Sequence, residues 1–320
     1  MTFPLKILIA ETDNFSSEAI AGLKEIGNVI IKDIKQGDLK NAFREYDVVW
    51  VRLKFTIKEN DFPKDCITKY IICPVTGLDH IDLEACAKRN IKVISLKGEI
   101  EFLKTVRATA EHTIALTLAL LRKLPDAISS VKNGNWKRDL FKGEEIFEKK
   151  VGILGVGRLG AITASYFKAF GAKVYGYDIK EFDPSICEKV NSMNELFEIC
   201  DIITIHVDLN PKTENLVGIN QFNKMNKNSF IINTSRGAIV NETDLLYALD
   251  NKLIAGAAID VLDNEYEISN NVLINYANYH NNLLITPHIG GNTKESFVKT
   301  EMYMLQKLIK LSSNNIQSIN

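Results

Sequence analysis

Between Lys149 and Asp178 the chain reads KKVGILGVGRLGAITASYFKAFGAKVYGYD, and no other stretch restricts its folding so tightly. An apolar run, Lys150–Leu154, enters Gly155-x-Gly157-x-x-Gly160. An alanine-rich segment follows, then a second apolar run, Lys173–Tyr177, which ends at Asp178. The periodicity predicts strand, helix, strand. Each glycine answers a steric demand. Gly155 lets the chain turn sharply out of the first strand, Gly157 lets a pyrophosphate approach the backbone, and Gly160 lets the helix pack on the sheet. Free N–H groups at the helix start face the phosphates. Asp178 lies 18 residues after Gly160 and can accept hydrogen bonds from an adenosine ribose. Its charge opposes a 2′-phosphate, so the pattern favours NAD over NADP, with Lys180 placed to soften that choice.

The remaining sequence repeats the alternation. Strands are predicted at Lys6–Ala10, Val29–Ile31, Asp47–Arg52, Tyr70–Cys73 and Ile91–Ser95, with helices at Ser16–Ile26 and Leu83–Arg89. Lys104–Leu124 is predicted as one long, largely apolar helix. Further strands are predicted at Ile202–His206, Phe230–Asn233, Ala255–Ile259 and Leu283–Thr286, and a last helix at Thr293–Leu311. Apolar strands alternating with helices predict an α/β chain with mainly parallel sheets covered on both faces. A length of 320 residues suits two such domains.

Charge and composition narrow the function classes. Lys plus Arg is 39 against 40 Asp plus Glu, without the basic surplus of a nucleic-acid binder. The five cysteines form no CxxC pair, which fits a reducing, cytoplasmic setting better than a disulfide framework. The start MTFPLKILIAE does not read as a secretory signal, and no apolar stretch reaches bilayer length, so no membrane partner is expected. No histidine pair has ligand spacing on a helix, and no metal is expected.

Hydride transfer needs a proton acceptor and a group that orients the substrate, and in a doubly wound sheet both belong just past strand carboxyl ends. Three residues fit. Arg236 follows FIINT and offers a planar fork of donors for a carboxylate. Glu265 follows GAAIDV shortly. His288 follows LLIT and can exchange a proton with a hydroxyl, steadied by Glu265.

GVGRLG with Asp178, NTSRGAIVNE around Arg236, GAAIDVLDNE ending at Glu265 and TPHIGG around His288 together resemble the D-isomer-specific 2-hydroxyacid dehydrogenase family over nearly the whole chain, with phosphoglycerate dehydrogenases as one such branch. The resemblance implies an NAD-dependent enzyme that interconverts a 2-oxo acid and a D-2-hydroxy acid. Arg236, Glu265 and His288 would be its catalytic residues. Arg158, Leu159, His206, Thr234, Ser235 and Asp260 would join Gly155, Gly157, Gly160, Asp178, Arg236 and His288 around the cofactor, with Asp260 near the nicotinamide carboxamide. Val75, Thr76 and Gly77, in PVTGLDHID, would hold the substrate carboxylate through backbone N–H groups, together with Arg236. The implied layout is a Rossmann NAD-binding domain, 102–289, inserted into a flavodoxin-like substrate domain, 1–101 plus 290–320. A homodimer using the helix around Glu111–Leu121 is also implied.

The sequence departs from the family pattern in three places. Asp208 and Tyr266 each stand where the family has proline. The segment 95–104 is not its usual small-residue stretch, and Lys97, Lys104 and Arg107 there raise the expectation of a substrate with a second anionic group. Because one fold serves several functions, an NAD(H)-responsive interaction or regulatory protein without turnover stands as the alternative.

Overall fold

A computed structural model describes residues 4–265 and 268–317. Its contacts divide the chain into two compact units, one of residues up to Val106 together with those from Thr293, the other Arg107–Asn292.

In the first unit β1 (Leu5–Ile9) leads into α1 (Ser17–Ile26), whose N-cap Ser16 accepts a hydrogen bond from the Ala19 N–H. Then β2 (Gly27–Ile31) follows without a loop. After α2 (Leu39–Glu45) come β3 (Val48–Trp50), β4 (Tyr70–Cys73), α3 (Leu83–Lys88), β5 (Lys92–Ser95) and the short α4 (Ile100–Leu103). The five strands are parallel in the order β2-β1-β3-β4-β5, the flavodoxin-like doubly wound arrangement.

The second unit begins with α5 (Ala108–Leu121) and α6 (Leu124–Lys132). Then come β6 (Lys150–Leu154), α7 (Arg158–Ala169), β7 (Lys173–Tyr177), the two-residue β8 (Glu188–Lys189), α8 (Met193–Ile199) and β9 (Ile202–Ile205). The unit continues with α9 (Ile219–Phe222), β10 (Phe230–Asn233), α10 (Glu242–Asp250), β11 (Gly256–Ile259), α11 (Val272–Ala277) and β12 (Leu283–Ile285). Its seven strands are all parallel, ordered β12-β11-β10-β9-β6-β7-β8. The order reverses at β6, so the carboxyl end of β6 opens on a topological switch point. Finally α12 (Lys294–Gln317) returns to the first unit, where Met304, Leu305 and Leu308 join Ile7, Ile9, Trp50 and Ile72 in the core. It packs close on α1, because Gly22 leaves room for the Leu305 side chain.

The single helix expected over 104–124 is not one helix. The Thr105 hydroxyl turns back to the Phe102 carbonyl (2.8 Å), and α5 starts only after Arg107. It ends at Leu121, Lys123 adopts a left-handed φ of 51°, and Pro125 lies in the first turn of α6. Proline fits the first turn of a helix, where its missing N–H costs nothing. The described residues include no helix long and apolar enough to cross a membrane.

Candidate active site

The glycine turn is built as the sequence demands. Gly155 sits at φ 91°, and a Cβ there would lie 2.7 Å from the His206 carbonyl oxygen. A Cβ on Gly160 would lie 2.0 Å from the Gly155 carbonyl oxygen, so only hydrogen lets the first turn of α7 close on the strand. Gly157 differs, because a Cβ there would meet nothing within 4 Å. Nothing in the protein's own packing requires glycine there. Asp178 accepts hydrogen bonds from the N–H groups of Val156 and Lys180, both at 2.8 Å, and so anchors the turn from the end of β7. A bare backbone at a helix start with a carboxylate at the next strand end suits an adenosine diphosphate moiety. Arg158 and Leu159 open α7 and are half-buried. Burial pushes the Arg158 guanidinium below the usual arginine value.

His206 closes the same turn from the end of β9. Its N–H donates to the Leu154 carbonyl (2.7 Å), and its Nε2 lies 3.1 Å from the Thr204 hydroxyl. Burial pushes the His206 imidazole down to about 4.

At the end of β10 the loop bearing Thr234, Ser235 and Arg236 is tied by Asn233. The Asn233 Oδ1 accepts from the Ser235 N–H (3.0 Å) and hydroxyl (2.6 Å), and its amide donates to the Arg236 carbonyl (2.9 Å). Thr234 shares a hydroxyl hydrogen bond with Thr113 of α5 (2.8 Å). Arg236 Nη1 donates to the Ser235 carbonyl (2.9 Å). Gly237 has no room for a Cβ, which would lie 1.9 Å from the Leu262 carbonyl carbon. The Arg236 loop and the Glu265 loop therefore touch backbone to backbone.

Glu265 and His288 meet, with Oε2 and Nδ1 2.7 Å apart and both side chains about a quarter exposed. A carboxylate only accepts, so Nδ1 carries the proton and Nε2 is left to exchange one with a ligand. The Glu265 loop is held from α10, where Glu242 accepts from the Asp263 N–H (2.7 Å) and the Asn271 amide (2.8 Å). Tyr266, which stands where the family has proline, lies outside the described residues. His288 has a left-handed φ of 53°, and its N–H donates to the Asp260 carbonyl (2.8 Å).

Asp260 faces inward. It is 1% exposed, and its carboxylate accepts from the Thr286 hydroxyl (2.6 Å), the Ile289 N–H (2.9 Å) and the Gly290 N–H (2.7 Å). Burial alone would raise its carboxyl, but hydrogen bonds from His112, Thr286, Ile289 and Gly290 outweigh it and hold it below the usual value. Asn233, Glu242 and His112 support the site without having been singled out as site residues. A side chain's reach back to a loop leaves no spacing signal.

In the first unit the β4–α3 loop carries Val75, Thr76 and Gly77. The Val75 N–H is closed on the Cys73 carbonyl (2.8 Å), while those of Thr76 and Gly77 take no partner among the described residues. Lys104, one of the three cations expected to attract a second anion, is exposed and bound to both oxygens of Glu101 (2.7 and 2.9 Å).

A glycine turn at a sheet switch point, with a carboxylate at the next strand end, defines a dinucleotide-binding α/β unit, and Arg236, Glu265 and His288 follow neighbouring strand ends of it. Residues 114–290 match the family described as D-isomer specific 2-hydroxyacid dehydrogenase, NAD binding domain. The chain is 35% identical over 297 residues to the D-3-phosphoglycerate dehydrogenase of Methanocaldococcus jannaschii, covering 91% of this chain and 54% of that one. It is 31% identical over 315 residues to the D-3-phosphoglycerate dehydrogenase of Escherichia coli K12, covering 97% and 75%. The D-lactate dehydrogenase of Aquifex aeolicus, solved with NAD and lactic acid, superimposes with a TM-score of 0.84 at 24% identity, over 98% of this chain and 97% of that one. The chain belongs to the D-isomer-specific 2-hydroxyacid dehydrogenase family, and the residues that match its NAD-binding domain fall within the second unit. It spans about half the length of several of the curated relatives it matches.

Proposed function

We propose that the protein is an NAD-dependent dehydrogenase of a D-2-hydroxy acid, with a phosphorylated glycerate as the first substrate to test. The observation that carries the reading is the His288–Glu265 pair, 2.7 Å apart, beside the Arg236 loop in the unit that bears the glycine turn. The names of the relatives support the phosphorylated substrate. Bound NAD supplies the hydride acceptor in oxidation and, when reduced, the donor. The chain's own residues do the rest. The N–H groups at the start of α7 hold the diphosphate and Asp178 the ribose. Arg158, Leu159, His206, Thr234 and Ser235 line the cofactor. Asp260 supports the His288 turn rather than the carboxamide. Arg236 binds the substrate carboxylate, and the Thr76 and Gly77 N–H groups are a second set of carboxylate donors. His288 takes the hydroxyl proton on Nε2 as the C2 hydride leaves, and returns it in reduction. Glu265 keeps the opposite nitrogen protonated, so that Nε2 stays the exchanging atom.

The first unit serves as the substrate domain in this reading. A homodimer is also proposed, but through a different surface from the helix expected. Most apolar residues of α5 are buried within the second unit, whereas Ile128 and Val131 of α6, Trp136 (86% exposed) and Leu140 are all exposed.

The test follows the absorbance of reduced nicotinamide against pyruvate, glyoxylate, hydroxypyruvate, phosphohydroxypyruvate and 2-oxoglutarate, with His288→Asn as control. Turnover of phosphohydroxypyruvate that falls roughly 10²–10⁴-fold in the control is expected. Binding of NADH with no turnover of any panel member would remove the enzyme reading and leave a regulatory one.

A further inference from the structure

His112 lies on α5, far from His288 in sequence, and its ring is 17% exposed. Its Nε2 is 3.2 Å from Asp260 Oδ1 and 3.1 Å from the Thr286 hydroxyl oxygen. This is more than the helix packing its position suggests. The Thr286 hydroxyl already donates its one proton to Asp260 Oδ1 (2.6 Å). The Asp260 carboxylate only accepts, so neither oxygen facing Nε2 has a proton to give it. Proton counting therefore requires Nε2 of His112 to be the donor. The same carboxylate receives the N–H groups of Ile289 and Gly290, the two residues after His288. Gly290 is also held close, because a Cβ there would meet Asp260 Oδ2 at 2.9 Å and Thr109 of α5 at 3.3 Å. The backbone that follows His288 thus hangs on one buried carboxylate, and His288 itself holds a left-handed φ that a non-glycine residue keeps only when its surroundings enforce it.

We infer that His112 is a positioning residue for His288: by donating Nε2–H to Asp260 and Thr286, it fixes the turn on which the exchanging imidazole is held. The inference rests on the function proposed above for its kinetic consequence and on geometry alone for its structural one. Glutamine can place its amide donor near the Nε2 position. Asparagine stops short of it, and phenylalanine fills the space without donating.

The experiment compares the full chain with His112→Gln, His112→Asn and His112→Phe, using NADH and phosphohydroxypyruvate. In the Asn and Phe variants kcat should fall about 10–100-fold, as a small displacement of a reacting group does. Their NADH Kd should stay within about threefold of the parent, a difference of less than 1 kcal/mol. The Gln variant should keep kcat near the parent's. In parallel, NMR follows the downfield proton of the His288 Nδ1–H to Glu265 hydrogen bond, identified by its loss in His288→Asn. It should shift or broaden in the Asn and Phe variants and persist in the Gln variant. Equal loss in all three variants would reduce His112 to a packing role, and an unchanged kcat and proton signal in His112→Asn would overturn the inference outright. Should His112→Phe fail to fold, the Asn and Gln pair decides. If the parent itself turns over no 2-oxo acid, the proposed function falls, while the proton signal still decides the role of His112.

Discussion

Gly157 and Gly160 are three residues apart and answer to different constraints. Gly160 is required by the protein itself, because its Cβ would collide with backbone at 2.0 Å. Gly157 has open space around it and an ordinary φ of −77°. Gly160→Ala should therefore lose about 1–3 kcal/mol of stability, as overpacked sites do. Gly157→Ala should keep its Tm and weaken NADH binding about tenfold, or 1.4 kcal/mol. Thermal melts and NADH fluorescence titration on the two variants separate these outcomes; equal melting losses would refute the distinction. His206 makes a second prediction at this scale. Its folded pKa, about 4, lies below the ordinary histidine value of 6.5, so the unfolded chain binds the extra proton first as pH falls. The stability it contributes is present above 6.5 and is lost as pH drops towards 4. Urea unfolding at pH 7 and pH 5 should show a smaller difference in His206→Gln than in the parent.

At the scale of elements, helix ends are where the sequence pattern misleads. The run 104–124 lacks glycine and proline, so hydrophobic periodicity joins what the structure separates into the turn after α4, α5 and the first residue of α6. The stop after Leu121 is made by Lys123 in a left-handed conformation, with its N–H on the Leu120 carbonyl (3.2 Å). Glycine is the residue suited to that position. Lys123→Gly should stabilise the chain by about 0.5–1 kcal/mol, since it relieves the left-handed strain of a side chain. A lower urea midpoint would show that the Lys123 side chain supplies more than its backbone costs. α5 also shows what an element contributes beyond its own stability, because one helix presents Thr113 to Thr234 and His112 to Asp260.

At the scale of the whole molecule, the exposed apolar residues Ile128, Val131, Trp136 and Leu140 argue for a second copy of the chain as their cover. Light scattering should give twice the chain mass, and Trp136→Asp or Ile128→Asp should halve it without loss of secondary structure; a monomeric parent would end the dimer reading. The two parallel sheets and the glycine turn with Asp178 were legible in the linear sequence, as were Arg236, Glu265 and His288 at strand ends. Apolar runs must be buried on both faces, and a tight turn admits only glycine, so these are local demands that neighbouring residues express. The break of the 104–124 helix, the closed Val75 N–H, the pairing of Lys104 with Glu101 and the inward carboxylate of Asp260 were not legible. Each depends on which donor reaches which acceptor once the chain has folded. Sequence by itself determined the class of fold and where Arg236, Glu265 and His288 stand along it. Tertiary structure alone decided that a helix 148 residues away from Asp260 reaches the turn of His288, because hydrogen bonds across such a separation follow from packing and leave no periodic trace.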